Sequence, residues 1–171
     1  MSRRVAPPAV RYYNVNLSGP AESPPNASPG VGLGLVIVNT LNNTMTLSGS
    51  FSGLQGNTTS SHIHAATAIA GQGATGVATT TPSFVGFPLG VTAGNVSQTY
   101  DMTLASSFNA TFITNNGGTV ASAFAALEVP SAGFAPSATG DTAATFSAAW
   151  PQTSTVRPTA SRLPKRSRQR R

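Results

Sequence analysis

The sequence predicts an all-β protein: an antiparallel β-sandwich or Greek-key-like partial barrel, with one short helix and a disordered C-terminal tail. Three observations lead there. Charged residues make up 8% of the 171, against roughly 25% in an average soluble domain, and Gly, Ser, Thr, Ala and Asn fill the gap. Apolar residues between positions 12 and 128 fall in short runs, several of them alternating with polar residues at the two-residue period of a half-buried strand. Gly, Pro and Asn pairs punctuate those runs at hairpin spacing. The length suits one domain. Residues 1–11 read as a disordered N-terminal segment, 12–134 as the β domain, and 135–171 as a disordered tail, first rich in Ala, Ser and Thr and then basic.

The elements follow in order. Tyr12-Tyr13-Asn14-Val15-Asn16-Leu17-Ser18 alternates and forms a first strand, stopped by Gly19-Pro20. Pro24-Pro25 and Pro29-Gly30 stiffen the loop after it. Val31 to Val38 is a β-branched run whose glycines suit a close backbone approach or a bulge. Asn42-Asn43 marks a turn into Thr44 to Phe51, which alternates polar and apolar as a half-buried antiparallel strand does. Gly53-Leu54-Gln55-Gly56 turns into a strand carrying His62 and His64. Residues 66–94 read as a long loop with one short strand near Gly76-Val77-Ala78. Asn95 to Leu104 alternates again. Thr111-Phe112-Ile113 leads to the turn Asn115-Asn116-Gly117-Gly118. Thr119 then stands where an N-cap belongs, before an Ala- and Leu-rich segment from Val120 to Leu127, which is the one expected helix.

The net charge of +6 misleads about partners. Every Lys and Arg lies at Arg11 or before, or at Arg157 or after. Between them stand only Glu22, Asp101, Glu128 and Asp141, so the body is mildly acidic. A nucleic-acid face needs Lys or Arg on the folded domain, so no specific nucleic-acid partner is expected. The terminal cluster from Arg162 to Arg171 reads as a solvated basic end that would take any polyanion without selectivity. There is no cysteine, which excludes disulfides and thiolate metal sites. No run reaches the roughly 18 apolar residues of a membrane span. The first eight residues are basic with no apolar core behind them, so they hold no readable signal peptide. Six Asn-x-Ser/Thr acceptors, at Asn16, Asn26, Asn42, Asn57, Asn95 and Asn109, point instead to a secreted glycoprotein.

Chemistry concentrates in one place. The only two histidines are His62 and His64, and residues two apart on a strand project from the same face. Two imidazoles on one face form half of a site for copper or zinc, or a hydrogen-bonded pair that pins the strand. Zinc needs more donors than two, and only Glu22, Asp101, Glu128 and Asp141 remain to supply them. Catalysis is not expected. Serines are plentiful, but no Gly-x-Ser-x-Gly elbow is present and a triad would have to draw on four acids. Gly71-Gln72-Gly73-Ala74-Thr75-Gly76 fits a loose glycine-rich pattern without the strand and helix that a dinucleotide loop needs.

Leu17-Ser18-Gly19-Pro20-Ala21-Glu22-Ser23-Pro24-Pro25, Gly53-Leu54-Gln55-Gly56, His62-Ile63-His64, Phe87-Pro88-Leu89-Gly90 and Asn116-Gly117-Gly118-Thr119 occur in the order and spacing of the CHRD (chordin) domain. Over roughly residues 12–128 the chain resembles that family. The resemblance implies a secreted β-rich module with a binding or structural role, no catalytic activity, no obligatory cofactor and an extracellular protein partner of unknown identity. The histidine strand is also similar to the His-x-His copper strand of copper/zinc superoxide dismutase. CHRD domains usually close with a helix, then an Asn-Ile-His strand, then a Gly-Glu-Ile-Arg-Gly strand, and both closing strands are missing here. Codons for Gln152-Thr153-Ser154-Thr155-Val156, read from the third base of each, can spell Asn-Ile-His-Ser. Residues beyond about Ala132 are therefore expected to be read in a shifted frame. In an intact family member the second His-bearing strand would complete a metal site.

Overall fold

The computed structural model describes residues 10–21, 25–64, 76–127, 135–140 and 144–145, the last two stretches as backbone only. A four-stranded antiparallel sheet is built from β1 (Val10–Ser18), β2 (Val31–Asn39), β3 (Thr44–Ser52) and β5 (Gly94–Asp101), in the order β1-β2-β3-β5. A three-stranded antiparallel sheet joins β4 (Thr58–His64), β6 (Ala135–Gly140) and β7 (Ala144–Thr145). The helices α1 (Ala110–Asn115) and α2 (Val120–Leu127) lie between β5 and β6 in the chain, and two short 3-10 turns complete the set. The fold is all-β and antiparallel, with an unclosed sheet.

Alternation places the core. On β2, Val36 and Val38 are fully buried, and they pair in register with Leu47 and Met45 of β3. Tyr13 and Val15 of β1 and Val96 of β5 extend the same inner face. Ile63 of β4, Phe84, and Phe112, Ala123, Phe124 and Leu127 from the helices join one cluster with them. Each large side chain fully buried there contributes about 1.5–3 kcal/mol relative to exposure, so this cluster carries the domain. The outer face of β1, by contrast, presents Tyr12, Asn14 and Asn16 to solvent.

Local chemistry accounts for the connections. The turn between β2 and β3 puts Asn43 at φ 54°, a left-handed conformation that asparagine tolerates better than most residues. Thr119 caps α2: its Oγ1 accepts the Ser122 amide at 3.1 Å, three residues on, as an N-cap hydroxyl does. Gly117 and Gly118 reverse the chain between the helices at φ 97° and 73°, where a β-carbon would be strained.

Four expectations need correction. Residues 10 and 11, expected in the disordered N-terminal segment, are the first two residues of β1, paired with Asn39 and Val38. Thr111-Phe112-Ile113, expected only to lead into a turn, lies inside α1, so there are two α-helices where one was expected. The reason is local: Asn109 Oδ1 accepts the Thr111 amide at 2.9 Å, which nucleates the first turn. The short strand near Gly76-Val77-Ala78 reduces to a single bridge between His64 and Val77. Finally, residues 135–140 and 144–145, expected in a disordered tail, form β6 and β7. Their Ala, Ser, Thr, Pro and Gly composition has no apolar alternation, and the pairing with β4 that defines β6 is a contact remote in sequence. Residues 1–9 and the basic end from 146 to 171 lie outside the described residues.

Candidate functional site

The site is built on β4. Six of its seven residues pair with β6, with His62 opposite Ser137 and His64 opposite Ala135. The segment from Val77 to Phe84 also holds β4. Ile63 donates its amide to Thr79 Oγ1 at 2.8 Å and accepts the Ala78 amide at 2.9 Å, while Ser61 donates to Ser83 Oγ at 2.8 Å. Ile63 is fully buried in the core. Strand alternation then sends its two neighbours to the opposite face, and there they meet.

The Nε2 atoms of His62 and His64 lie 3.1 Å apart, with ring centroids separated by 4.9 Å and planes tilted by 60°. Both rings are half-buried. Only one of the two nitrogens can carry a hydrogen across that contact, so the other presents a lone pair. Burial holds the His62 pKa below its ordinary 6.5, and the neighbouring His64 adds to the effect; the Pro82 carbonyl opposes both. Among the described residues His62 Nδ1 is buried without a hydrogen-bond partner. These influences favour a neutral His62 imidazole near pH 7, the form that ligates metals.

Two donors 3.1 Å apart, each about 2.0–2.1 Å from one ion, subtend an angle of about 95–100°, between square-planar and tetrahedral values. The spacing therefore suits a single Cu(II) or Zn(II) ion held by both rings. No third His, Cys, Asp or Glu groups with them among the described residues. Asp101, one of the four expected donors, is occupied elsewhere. Its carboxylate accepts the Thr103 hydroxyl and the Thr103 amide, at 2.6 and 2.8 Å, which holds its pKa below the usual carboxylate value. Glu22, Glu128 and Asp141 lie outside the described residues.

The six glycosylation acceptors divide by environment. Asn16, Asn42, Asn57 and Asn95 are exposed. Asn26 and Asn109 are half-buried, and each uses its Oδ1 to accept an amide two residues on, at 2.9 Å in both cases. No helix among the described residues is long and apolar enough to cross a membrane.

Sequence reasoning missed Thr79, Ser83 and the Pro82 carbonyl, which hold or tune the histidine strand. Nothing in the spacing of Ser and Thr distinguishes Thr79 and Ser83 from the many others.

The family model of the CHRD domain matches residues 13–148. The match begins with β1, includes the histidine strand, and continues past Ala132, later than the point at which the codon pattern places a change of frame. Comparison with curated proteins and with solved structures gives no match. With a match over most of its length and the expected antiparallel sheets around a His-Ile-His strand, the chain belongs to the CHRD domain family.

Proposed function

We propose that the chain is a secreted, non-catalytic binding module whose binding station is the pair His62 and His64, with Cu(II) or Zn(II) as the ligand. The observation that carries this reading is the 3.1 Å separation of the two Nε2 atoms on one face of β4. A rigid pair costs little to organise around an ion, because Ile63 between them is already locked by Thr79 and the core. The remaining coordination positions fall to water. Secretion is supported by the four exposed acceptor asparagines. The non-catalytic reading rests on the scarcity of acid–base groups and on Asp101 being committed to its own turn. A protein partner in the extracellular space completes this reading.

Metal titration tests it. A ligand bound only by the folded state stabilises it by mass action, by about 2.7 kcal/mol at one hundred times its Kd, and so raises the melting temperature. Micromolar Cu(II) or Zn(II) should raise the melting temperature of the wild type, and His62→Ala with His64→Ala should abolish the shift. A wild type indifferent to both ions would leave the two rings as a hydrogen-bonded pair that pins β4.

A further inference from the structure

The inner face of the four-stranded sheet is filled unevenly. In register, one row across it reads Val15, Gly34, Gly49, Val96, so its two central positions have no side chain. Neither position can accept one. A β-carbon on Gly49 would stand 2.7 Å from the Leu33 carbonyl and 2.9 Å from Gly34 Cα, and one on Gly34 would stand 2.9 Å from the Ser48 carbonyl. The next inward residues along β3, Leu47 and Phe51, flank this bare row. The result is a small hollow, open on one side, walled by Val15, Leu47, Phe51, Phe84 and Val96 and bordered by Ser61 and His62 of β4.

A second observation points to an occupant. Ser61 is only 3% exposed, and its Oγ is buried without a hydrogen-bond partner among the described residues. Its backbone needs nothing further: the amide donates to Ser83 Oγ, and the carbonyl accepts the Phe84 amide at 3.1 Å. Buried hydroxyls in native proteins are almost always paired, so an unpaired one bordering an apolar hollow marks the place of a missing polar atom. No charged side chain lines the space, which argues against an ionic occupant. Largely apolar walls with a few polar groups, Ser61 and His62 among them, describe a small-molecule site.

We propose that this hollow binds a small neutral alcohol or phenol, its apolar body lying over Gly34 and Gly49 and its hydroxyl paired with Ser61 Oγ. The site borders the metal station at His62 but needs no metal.

Titration of the full chain with 2-naphthol in EDTA, followed by fluorescence and by methyl NMR, tests the proposal. Saturable binding at one site is expected, with shifts concentrated on the methyl groups of Val15, Leu47 and Val96. Val96→Phe, which fills the hollow, should weaken binding at least tenfold, and Ser61→Ala should weaken it severalfold. If Val96→Phe does not fold, the methyl shifts of the wild type decide alone. An absence of saturable binding, as for a hollow holding water only, overturns the proposal, as do shifts confined to other methyl groups. Affinity unchanged in a folded Val96→Phe, or unchanged in Ser61→Ala, overturns it too. Because EDTA removes divalent ions, loss of the metal reading leaves these results unaltered, and loss of the hollow leaves the metal titration unaltered.

Discussion

Ile63 and Thr79, both fully buried, are joined by a hydrogen bond of 2.8 Å from the Ile63 amide to the Thr79 hydroxyl. That bond fixes the strand residue between the two histidines to the segment that also carries Pro82 and Ser83. A threonine at 0% exposure is there for its hydroxyl as much as for its methyl group. The orientation of the imidazole pair is therefore set from behind, through the backbone of Ile63.

Thr79→Val should destabilise the domain by about 1–3 kcal/mol, because an isosteric side chain leaves the Ile63 amide buried and unpaired. In melting temperature that is a fall of roughly 3–10 °C for a domain of this size. Thr79→Ser keeps the acceptor and should cost less, mainly the lost methyl packing. Thermal denaturation of the three proteins checks the order; equal melting of Thr79→Val and wild type would show that the bond contributes nothing.

Gly49→Ala should cost more than about 1 kcal/mol, since its β-carbon meets backbone atoms of Leu33 and Gly34 that cannot move without opening the β2–β3 ladder. Gly76→Ala is the matched control, with no atom of the described residues within 4 Å of the added carbon, and should be neutral or slightly stabilising through the unfolded chain. Urea denaturation separates them. Equal stability of the two variants would show that the close approach of Gly49 to Leu33 and Gly34 carries no specific cost.

Stability should fall as pH drops below about 6.5 in the absence of metal. His62 has a folded pKa depressed first by burial and then by His64, so the unfolded chain takes up a proton that the folded chain resists. Full stability is thus present above 6.5 and declines as pH falls towards the folded value. One proton sets a ceiling of about 1.4 kcal/mol per pH unit, and the half-exposed ring will give less because solvent screens it. His62→Gln should flatten this limb. The lower limb belongs to carboxylates: Asp101, depressed by the Thr103 hydroxyl and then its amide, loses its contribution as pH falls through 3.8 and below. A wild-type profile flat between pH 7 and 5 in EDTA would contradict the assignment to His62.

Much of this architecture is legible in the residues. β1 to β3 and β5 show the two-residue period because one face of their sheet meets the core and the other meets water. The same reasoning puts His62 and His64 on one face before any coordinates exist. The glycines of β2 also signal a close approach, which the Gly34–Gly49 contact turns out to be. What stays hidden depends on partners distant in sequence. α1 is six residues long and owes its existence to the Asn109 cap rather than to an apolar stripe. The hollow opposite Ser61 needs three register pairings to appear, each between strands that the residues locate singly but do not align.

β6 is the sharpest case, and truncation tests it. Its sequence, Ala-Pro-Ser-Ala-Thr-Gly, has no strand period and would be trimmed by any boundary drawn at residue 134. Yet it pairs with β4 from Thr58 to His64, beside both histidines. Removing it leaves the backbone of β4 with an open edge, and each lost ladder bond costs about 0.5–1.5 kcal/mol net. A chain ending at residue 134 should therefore be less stable than one ending at residue 148 by about 2–5 kcal/mol, a large part of the 5–15 kcal/mol that holds a typical domain together. Amide exchange at His62 and His64 should accelerate in the shorter chain, since their neighbours lose the strand opposite. Equal melting temperatures and equal exchange in the two chains would show that β4 stands without β6, and that the domain ends where its apolar alternation does.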